Sequence, residues 1–185
     1  MTKISWIFLV LFLTQSTFAS MYFEPVVGYG KGTTSVSGTS DNTYSTYVSP
    51  SVGFKFGYFV EYVYAVADLR YSVVNITDSA VDSSISQTSM GLGVGWDWNL
   101  PIRTFVGMDL NVSSKFYDHS LTGSGTRFAI GYYLNLQTLV SLEFISTKLS
   151  GESSSLDVDA NFSTTMVTFS FPIEFIYPQT NWKNK

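Results

Sequence analysis

Ser89-Met-Gly-Leu-Gly-Val-Gly-Trp-Asp-Trp98 alternates large apolar residues with three glycines and one aspartate. This period of two predicts a β-strand with one apolar face. A soluble sheet buries its apolar face and wets a polar one, yet here the second face offers little except glycine and a single charge. The stretch therefore predicts a strand of a barrel in lipid, with apolar side chains outside and polar groups inside.

The same alternation recurs along the chain and predicts an all-β fold, an eight-stranded antiparallel up-and-down transmembrane β-barrel. Each segment has about the length that a tilted strand needs to cross a membrane. The apolar face of the fifth segment is predicted to present Val106, Met108, Leu110 and Val112 to lipid. The segments are residues 22–33, 46–59, 62–74, 87–98, 101–114, 125–134, 137–149 and 162–175.

The connections alternate between short turns and long polar loops. Short turns are predicted near residues 60–61, 99–101 and 135–136. Bacterial barrels place short turns in the periplasm and long loops outside. Aromatic residues near the short-turn end predict an interfacial girdle. The predicted long loops are residues 34–45, 75–86, 115–124 and 150–161, and the girdle residues are Tyr22, Tyr58, Phe59, Tyr62, Trp96, Trp98, Phe175 and Tyr177.

The composition limits the possible partners and the compartment. Only 13% of the 185 residues are charged, against roughly 25% in soluble domains. The net charge of −4, without a basic cluster, argues against nucleic acid as a partner. The absence of cysteine excludes a disulfide scaffold and a thiolate metal site.

The N-terminus predicts export. Lys3 precedes a short apolar core at residues 6–13, and small residues follow near Ala19. This is the pattern of a cleaved secretory signal, and the apolar core is too short to span a bilayer. We expect a signal peptide at residues 1–19, a barrel at residues 20–177 and a short periplasmic tail at residues 178–185.

Three segments carry a family resemblance: Glu24-Pro-Val-Val-Gly-Tyr-Gly30, Ser89 to Trp96 and Thr168-Phe-Ser-Phe-Pro-Ile-Glu-Phe175. Over residues 21–177 the chain resembles the small outer-membrane β-barrel proteins of Gram-negative bacteria, typified by the barrel domain of OmpA and by OmpX. The resemblance implies a filled polar lumen and implies no enzyme. Many such proteins end on an aromatic residue that assembly machinery reads, whereas this chain continues to Lys185.

Charged residues on the inward face form the first candidate site. A charge in so narrow a lumen must be paired or wetted. We expect ion pairs and hydrogen bonds that fill the barrel, and the alternative is a gated or proton-conducting path. The excess of acids calls for water, a cation or a shared proton. The acids are Glu24, Asp68, Asp97, Asp109, Glu143 and Glu174, and the bases are Lys55, Arg70, Arg103 and Arg127.

Several other residues are candidates for chemistry or for contact with lipid. His119 beside Ser120 is interpreted as a loop histidine, because adjacent loop residues do not place a nucleophile and its base in contact. We expect no catalytic residue, cofactor or metal. Lys115 and Lys148 are candidates for contact with lipopolysaccharide phosphates. Pro25 and Pro172 lie where the first and last strands meet. Either the position of each missing N–H faces away from the partner strand, or the two prolines weaken the seam and open a lateral portal for lipid.

Three functions follow in order of preference. The first is a non-enzymatic integral outer-membrane protein for envelope integrity or surface interaction. The second is a narrow pore or a channel for lipid or a small hydrophobe, and the third is a lipid A-modifying enzyme centred on His119. The expected partners are outer-membrane lipids, lipopolysaccharide and the barrel-assembly machinery, and we expect a monomer.

Overall fold

A computed structural model describes residues 19–37, 43–77, 83–98, 100–116, 119–153 and 156–174. The predicted signal core and the tail after Glu174 lie outside these residues. None of the described residues form a helix long and apolar enough to cross a membrane. The strands are β1 (Ala19–Ser37), β2 (Thr43–Val60), β3 (Val63–Ile76), β4 (Ser83–Asp97), β5 (Ile102–Phe116), β6 (His119–Asn135), β7 (Thr138–Ser153), β8 (Leu156–Ser170) and the two-residue β9 (Ile173–Glu174).

The strands close into a barrel. Each long strand pairs antiparallel with the next, and β1 pairs with both β2 and β8. This confirms the predicted eight-stranded up-and-down topology. If paired residues are traced from strand to strand once around the barrel, the path starts at one residue of β1 and returns to β1 ten residues further along. Such a stagger requires strongly tilted strands. That circuit is Tyr22, Gly57, Val66, Gly93, Gly107, Arg127, Ile145, Thr164 and Gly32.

The two ends of the barrel differ, and we call them lower and upper. The lower end carries the tight turns that join β2 to β3, β4 to β5 and β6 to β7. Glu61 takes a positive φ of 54° in the first turn, and the amide of Gln137 donates to Asn135 Oδ1 at 2.9 Å in the third. The upper end carries the four connections at residues 38–42, 77–82, 117–118 and 154–155.

A belt of apolar side chains surrounds the lower and middle parts of the barrel. Leu92 and Val106 are 57% and 62% exposed, and their neighbours on other strands are similar. Exposure on this scale exceeds what a water-soluble monomer shows. The large exposed apolar side chains end at Tyr29 on β1 and Phe144 on β7. The belt therefore has the surface that lipid requires.

Above the belt the two faces exchange character. Most outward positions there are hydroxyl, amide or charged residues, such as Thr33, Thr122 and Asn161. The inward positions form an upper apolar cluster, so this part of the barrel is built like a soluble one. The cluster comprises Tyr47, Val74, Ile85, Val112, Leu121, Leu149, Ala160 and Phe162.

Three sequence predictions about these regions were wrong. The predicted long loops are mostly strand, because their serines and threonines alternate with inward apolar residues. His119 accordingly begins β6, opposite Phe116, instead of lying in a loop. Tyr22 and Phe59 point into the lumen and are 0% and 3% exposed, so they do not join a girdle.

Val112 was predicted to face lipid and instead lies in the upper apolar cluster. The register of β5 against β6 shifts between Asp109 and Val112, so Leu110 and Asn111 are both exposed. A β-bulge of this kind inserts one residue and moves every later side chain to the other face. The bulge thus places Val112 inside at 1% exposure.

The seam between β1 and β8 stays in register through both prolines. Val26 pairs with Ser170 on one side of the break, and Phe23 pairs with Ile173 on the other. The amide of Phe171 donates to the carbonyl of Pro25 at 3.1 Å. Antiparallel partners at such a site exchange two bonds, and Pro25 lacks the N–H for the second. Pro172 lies at the following, non-bonded position, so the seam loses one bond and not two.

The bulge predicts a large effect on stability for one substitution and almost none for the same substitution at the adjacent residue. Val112→Asp is expected to lower the free energy of unfolding by about 2–5 kcal/mol, because it buries an unpaired carboxylate among apolar side chains. Asn111→Asp is expected to change it by less than about 0.5 kcal/mol. Urea unfolding in lipid or detergent measures both. A larger loss for Asn111→Asp would show that β5 has no bulge.

Candidate functional site

The candidate site is the charged interior of the barrel. Nine of the ten predicted residues are at most 4% exposed, and Glu174 is the exception. Glu174 lies on β9, pairs with Tyr22 of β1 and is partly exposed. The nine occupy inward positions that alternate with the apolar belt: Glu24, Lys55, Asp68, Arg70, Asp97, Arg103, Asp109, Arg127 and Glu143.

Arg103 organises the lower group of charges. Its Nε and Nη2 donate to the two carboxylate oxygens of Asp97, the second at 2.9 Å. Its Nη1 donates to Glu24 Oε2 at 2.7 Å, across the barrel from β5 to β1. Lys55 Nζ donates to the other Glu24 oxygen at 3.1 Å. Two cations and two carboxylates therefore balance in this group.

Aromatic rings surround the lower group. The Arg103 guanidinium lies 4.5 Å from the Tyr64 ring centroid and 5.0 Å from that of Tyr133, and Lys55 Nζ lies 4.6 Å from that of Phe105. Tyr133 OH also donates to Asp97 Oδ2 at 3.0 Å, and Arg103 donates to Tyr22 OH. Cation–π contacts strengthen when they are desolvated, as they are here.

Glycine makes room for these rings. Tyr64 stacks on Phe105 with centroids 6.1 Å apart and planes 8° from parallel. Gly95 lies opposite Tyr64 on β4, and a Cβ there would lie 1.9 Å from the tyrosine ring. The close approach of ring and strand therefore requires glycine. The resulting lower aromatic cluster closes this end of the lumen with Tyr22, Phe59, Tyr64, Val66, Phe105 and Ala129.

Arg70 and Arg127 hold the upper group together. Arg70 binds both oxygens of Glu143, at 2.6 and 3.0 Å, and also contacts Asp68 at 3.2 Å. Arg127 bridges Asp68, at 2.8 Å, and Asp109, at 2.9 and 3.0 Å. The bidentate pairs match the planar guanidinium to the carboxylate. Two cations here face three carboxylates, so the acid excess lies in this group.

A small polar cavity adjoins the upper group. Its volume is about 20 Å³, and hydroxyl groups such as those of Ser51 and Ser89 line it beside Arg127 and Asp109. A space of this size holds about one water molecule. The Nε of Arg127 has no partner among the described residues and would be satisfied by such a water. Above the cavity the upper apolar cluster fills the lumen.

The other candidate residues lie outside the lumen. Lys115 and Lys148 are exposed near the upper ends of β5 and β7. The side chain of His119 falls outside the described residues, and Ser120 is exposed. Within the described part of the chain, no group of three or more acidic or imidazole side chains has the arrangement of a metal site.

The sequence predictions did not include the aromatic rings at the lower end of the lumen, although the alternation places them there. Tyr22 is two residues from Glu24, Phe59 is four from Lys55 and Tyr133 is two from Gly131. Residues an even number apart on one strand share a face. Their spacing therefore placed these rings inside, against the preference of aromatic residues for the membrane interface.

Comparison with known proteins shows what this barrel is similar to. No protein-family model matches, and no curated protein is similar in sequence. The crystal structure of Neisserial surface protein A superposes with a TM-score of 0.53 at 14% identity, covering 85% of this chain and 99% of that one. The structure of Ail from Yersinia pestis with sucrose octasulfate gives 0.51 at 12% identity, covering 82% and 99%. The chain has the fold of the small outer-membrane β-barrels. This confirms the resemblance found in the sequence.

The network predicts a large cost for the loss of Arg103. Arg103→Met is expected to lower the free energy of unfolding by about 3–5 kcal/mol, because it leaves Asp97 and part of Glu24 buried without a cation. Lys148→Met, at an exposed lysine, is the matched control and is expected to change it by less than about 0.5 kcal/mol. Urea titration of the folded barrel measures both. Equal stability of the two variants would show that the lumen is solvated.

Proposed function

We propose that this protein is an integral outer-membrane barrel that neither conducts nor catalyses, and that it acts through the polar surface it holds above the membrane. The observation that carries the proposal is the filled lumen. Aromatic rings close the lower end, ion pairs cross the middle and an apolar cluster occupies the upper end.

The ion pairs favour a structural role over a proton path. Each of the five buried carboxylates, Glu24, Asp68, Asp97, Asp109 and Glu143, accepts at least two hydrogen bonds from lysine or arginine. A conducting path needs groups that exchange partners, and an enzyme needs a base free to accept a proton. The contacts on the described residues support neither.

The apolar belt supports the membrane placement, and the fold supports the outer membrane. The tight turns would face the periplasm and the upper, polar part would face outward, as in bacterial barrels generally. Above the belt the strands continue with hydrophilic outer faces and an apolar core. This gives a stiff, strand-built surface for contact with envelope components or with molecules outside the cell.

The filled lumen predicts that the protein does not conduct ions across planar bilayers. Purified protein that shows heat-modifiable migration is expected to give no current steps above those of protein-free membranes, while a porin reconstituted in the same way conducts. Tyr47→Ala/Phe162→Ala, which thins only the upper cluster, is expected to stay silent because the ion pairs below it still block the lumen. Resolved steps from the unaltered protein would replace this proposal with the pore.

Cell fractionation tests the placement separately. The protein is expected with the outer membrane on a density gradient and is expected to resist extraction at high salt, because the apolar belt holds it. Recovery in the soluble periplasmic fraction would contradict the proposal.

A further inference from the structure

Three leucines are exposed on the tight turns of the lower end, and we call them the leucine patch. Leu100 lies in the turn between β4 and β5, Leu134 lies near the end of β6, and Leu136 lies in the turn that follows. Their exposed fractions are 60%, 60% and 47%. The amide of Tyr133 donates to the carbonyl of Pro101 at 2.9 Å, so the two turns are bonded to each other.

The leucine patch lies below the end of the apolar belt. Trp98 and Tyr132 are exposed rings, and each is two residues from a leucine of the patch. Such rings mark the interface between hydrocarbon and headgroups. The leucines extend past this level, where apolar surface contacts water unless another group covers it. Apolar side chains that are grouped in this way, and not scattered singly, indicate an interaction surface.

The charges around the leucine patch have one sign. Among the described residues, the charged side chains of the lower end that are not buried are Glu61, in the turn between β2 and β3, and Glu174, on β9. The exposed lysines of the described part of the chain all lie above the belt. The lower rim, which is the ring of turns and strand ends at the lower end, therefore favours a partner that carries positive charge.

The chain itself contains a segment of complementary character. Residues 175–185, Phe-Ile-Tyr-Pro-Gln-Thr-Asn-Trp-Lys-Asn-Lys, lie outside the described residues and follow directly on Glu174 at the lower rim. They include two lysines and no acidic side chain, and Trp182 immediately precedes the first lysine. A large apolar ring followed by cations matches an apolar patch followed by a carboxylate.

The segment is long enough to reach the leucine patch. Neighbouring strands are about 4.8 Å apart, so with a tilt of about 40° the lower rim advances roughly 6 Å per strand. The two turns of the patch are therefore roughly 10 to 20 Å from the end of β8 along the rim. Trp182 is eight residues beyond Glu174 and reaches up to about 26 Å from it.

The order of the turns around the lower rim matches the order of the residues in the segment. The rim passes from β9 to the turn after β6, then to the turn after β4, and then to the turn of Glu61. The last two are bonded, because the amide of Asp97 donates to the carbonyl of Tyr62 at 2.7 Å. A chain that follows the rim from Glu174 meets the leucines first and the acid afterwards.

We propose that residues 178–185 dock along the lower rim, with Trp182 on the leucine patch and Lys183 and Lys185 beside Glu61. Docked in this way, the segment ties three turns together below the lower aromatic cluster. It also covers apolar surface that the hydrocarbon of the membrane does not reach. The inference goes beyond the proposed function, which concerns the upper surface.

Tryptophan fluorescence tests the docking in the full chain. The sequence has four tryptophans, and the Trp6→Phe/Trp96→Phe/Trp98→Phe variant leaves Trp182 as the only one. In the folded barrel in lipid bilayers, its emission is expected to lie at shorter wavelength than in the urea-unfolded chain, and acrylamide is expected to quench it less. Equal quenching in the two states would overturn the proposal, because the ring would then lie in water.

A change in the leucine patch tests where Trp182 binds. Leu100→Ser/Leu136→Ser, added to the single-tryptophan variant, is expected to raise the acrylamide quenching constant about threefold to tenfold. Leu110→Ser is the matched control, at an equally exposed leucine at the top of the belt, and is expected to leave the constant unchanged. Heat-modifiable migration shows that each variant is folded. The same quenching constant in the patch variant and in the control would overturn the proposal.

Bilayers with brominated acyl chains separate docking on the patch from insertion into the membrane. Trp182 is expected to escape quenching by bromine, because the patch lies below the hydrocarbon. A variant that keeps only Trp96, on the lipid-facing belt, is expected to be quenched strongly. Equally strong quenching of Trp182 would overturn the proposal by placing the segment in the membrane.

The ionic contact has a measurement of its own. Glu61→Gln is expected to raise the acrylamide quenching of Trp182 by up to about twofold at low ionic strength and to have no effect in about 1 M salt, since exposed ion pairs are weak and screened. An unchanged quenching constant at low ionic strength would overturn the proposed path of the segment along the rim.

Discussion

The width of an eight-stranded barrel is the constraint on which the rest of this structure depends. Such a barrel closes around an interior with room only for side chains, while the belt outside offers no hydrogen-bond partner. Every inward polar group must therefore find its partner among the other side chains of the lumen, on a neighbouring strand or on the opposite wall. Arg103 reaches from β5 to Glu24 on β1, and Arg70 reaches from β3 to Glu143 on β7. These bonds tie opposite walls together, and glycine makes room for rings such as Tyr64 and Phe105.

A second consequence concerns the length of the strands. A barrel that ended with the apolar belt would expose the top of its charged network to water. Here the strands continue upward, and the polarity of their two faces is exchanged. Leu149 and Phe162 are inside, while Lys148 and Asn161 are outside. The upper apolar cluster shields the ion pairs below it, where a lower effective dielectric strengthens them. The same extension creates the hydrophilic outer surface above the belt.

Alternation in the sequence was enough to predict the strand number, the order and most of the outward faces, since each follows from a period of two. The bulge at Asn111 was not predictable, because Leu110 and Val112 suit lipid and core equally well. The upper strands were mistaken for loops on composition, although Ser84-Ile-Ser86 and Asn161-Phe-Ser163 keep the strand period. The partners in each ion pair could not be predicted from the sequence. Alternation shows which face a residue occupies, but the relative height of two residues on different strands depends on the stagger of the strands.

The polar lumen has a physical reason apart from transport. Replacing a buried ion-pair network with apolar residues is often neutral or stabilising, so stability alone does not explain nine buried charges. An exported chain must cross water before it reaches its membrane. Strands apolar on both faces would merge into long hydrophobic runs, which behave as spanning helices and aggregate. Alternation of apolar and polar residues keeps the mean hydropathy at +0.16. A continuous apolar surface forms only when the barrel closes. On the proposed outer-membrane placement, the charges of the lumen thus have a reason that lies before folding as well as in the folded barrel.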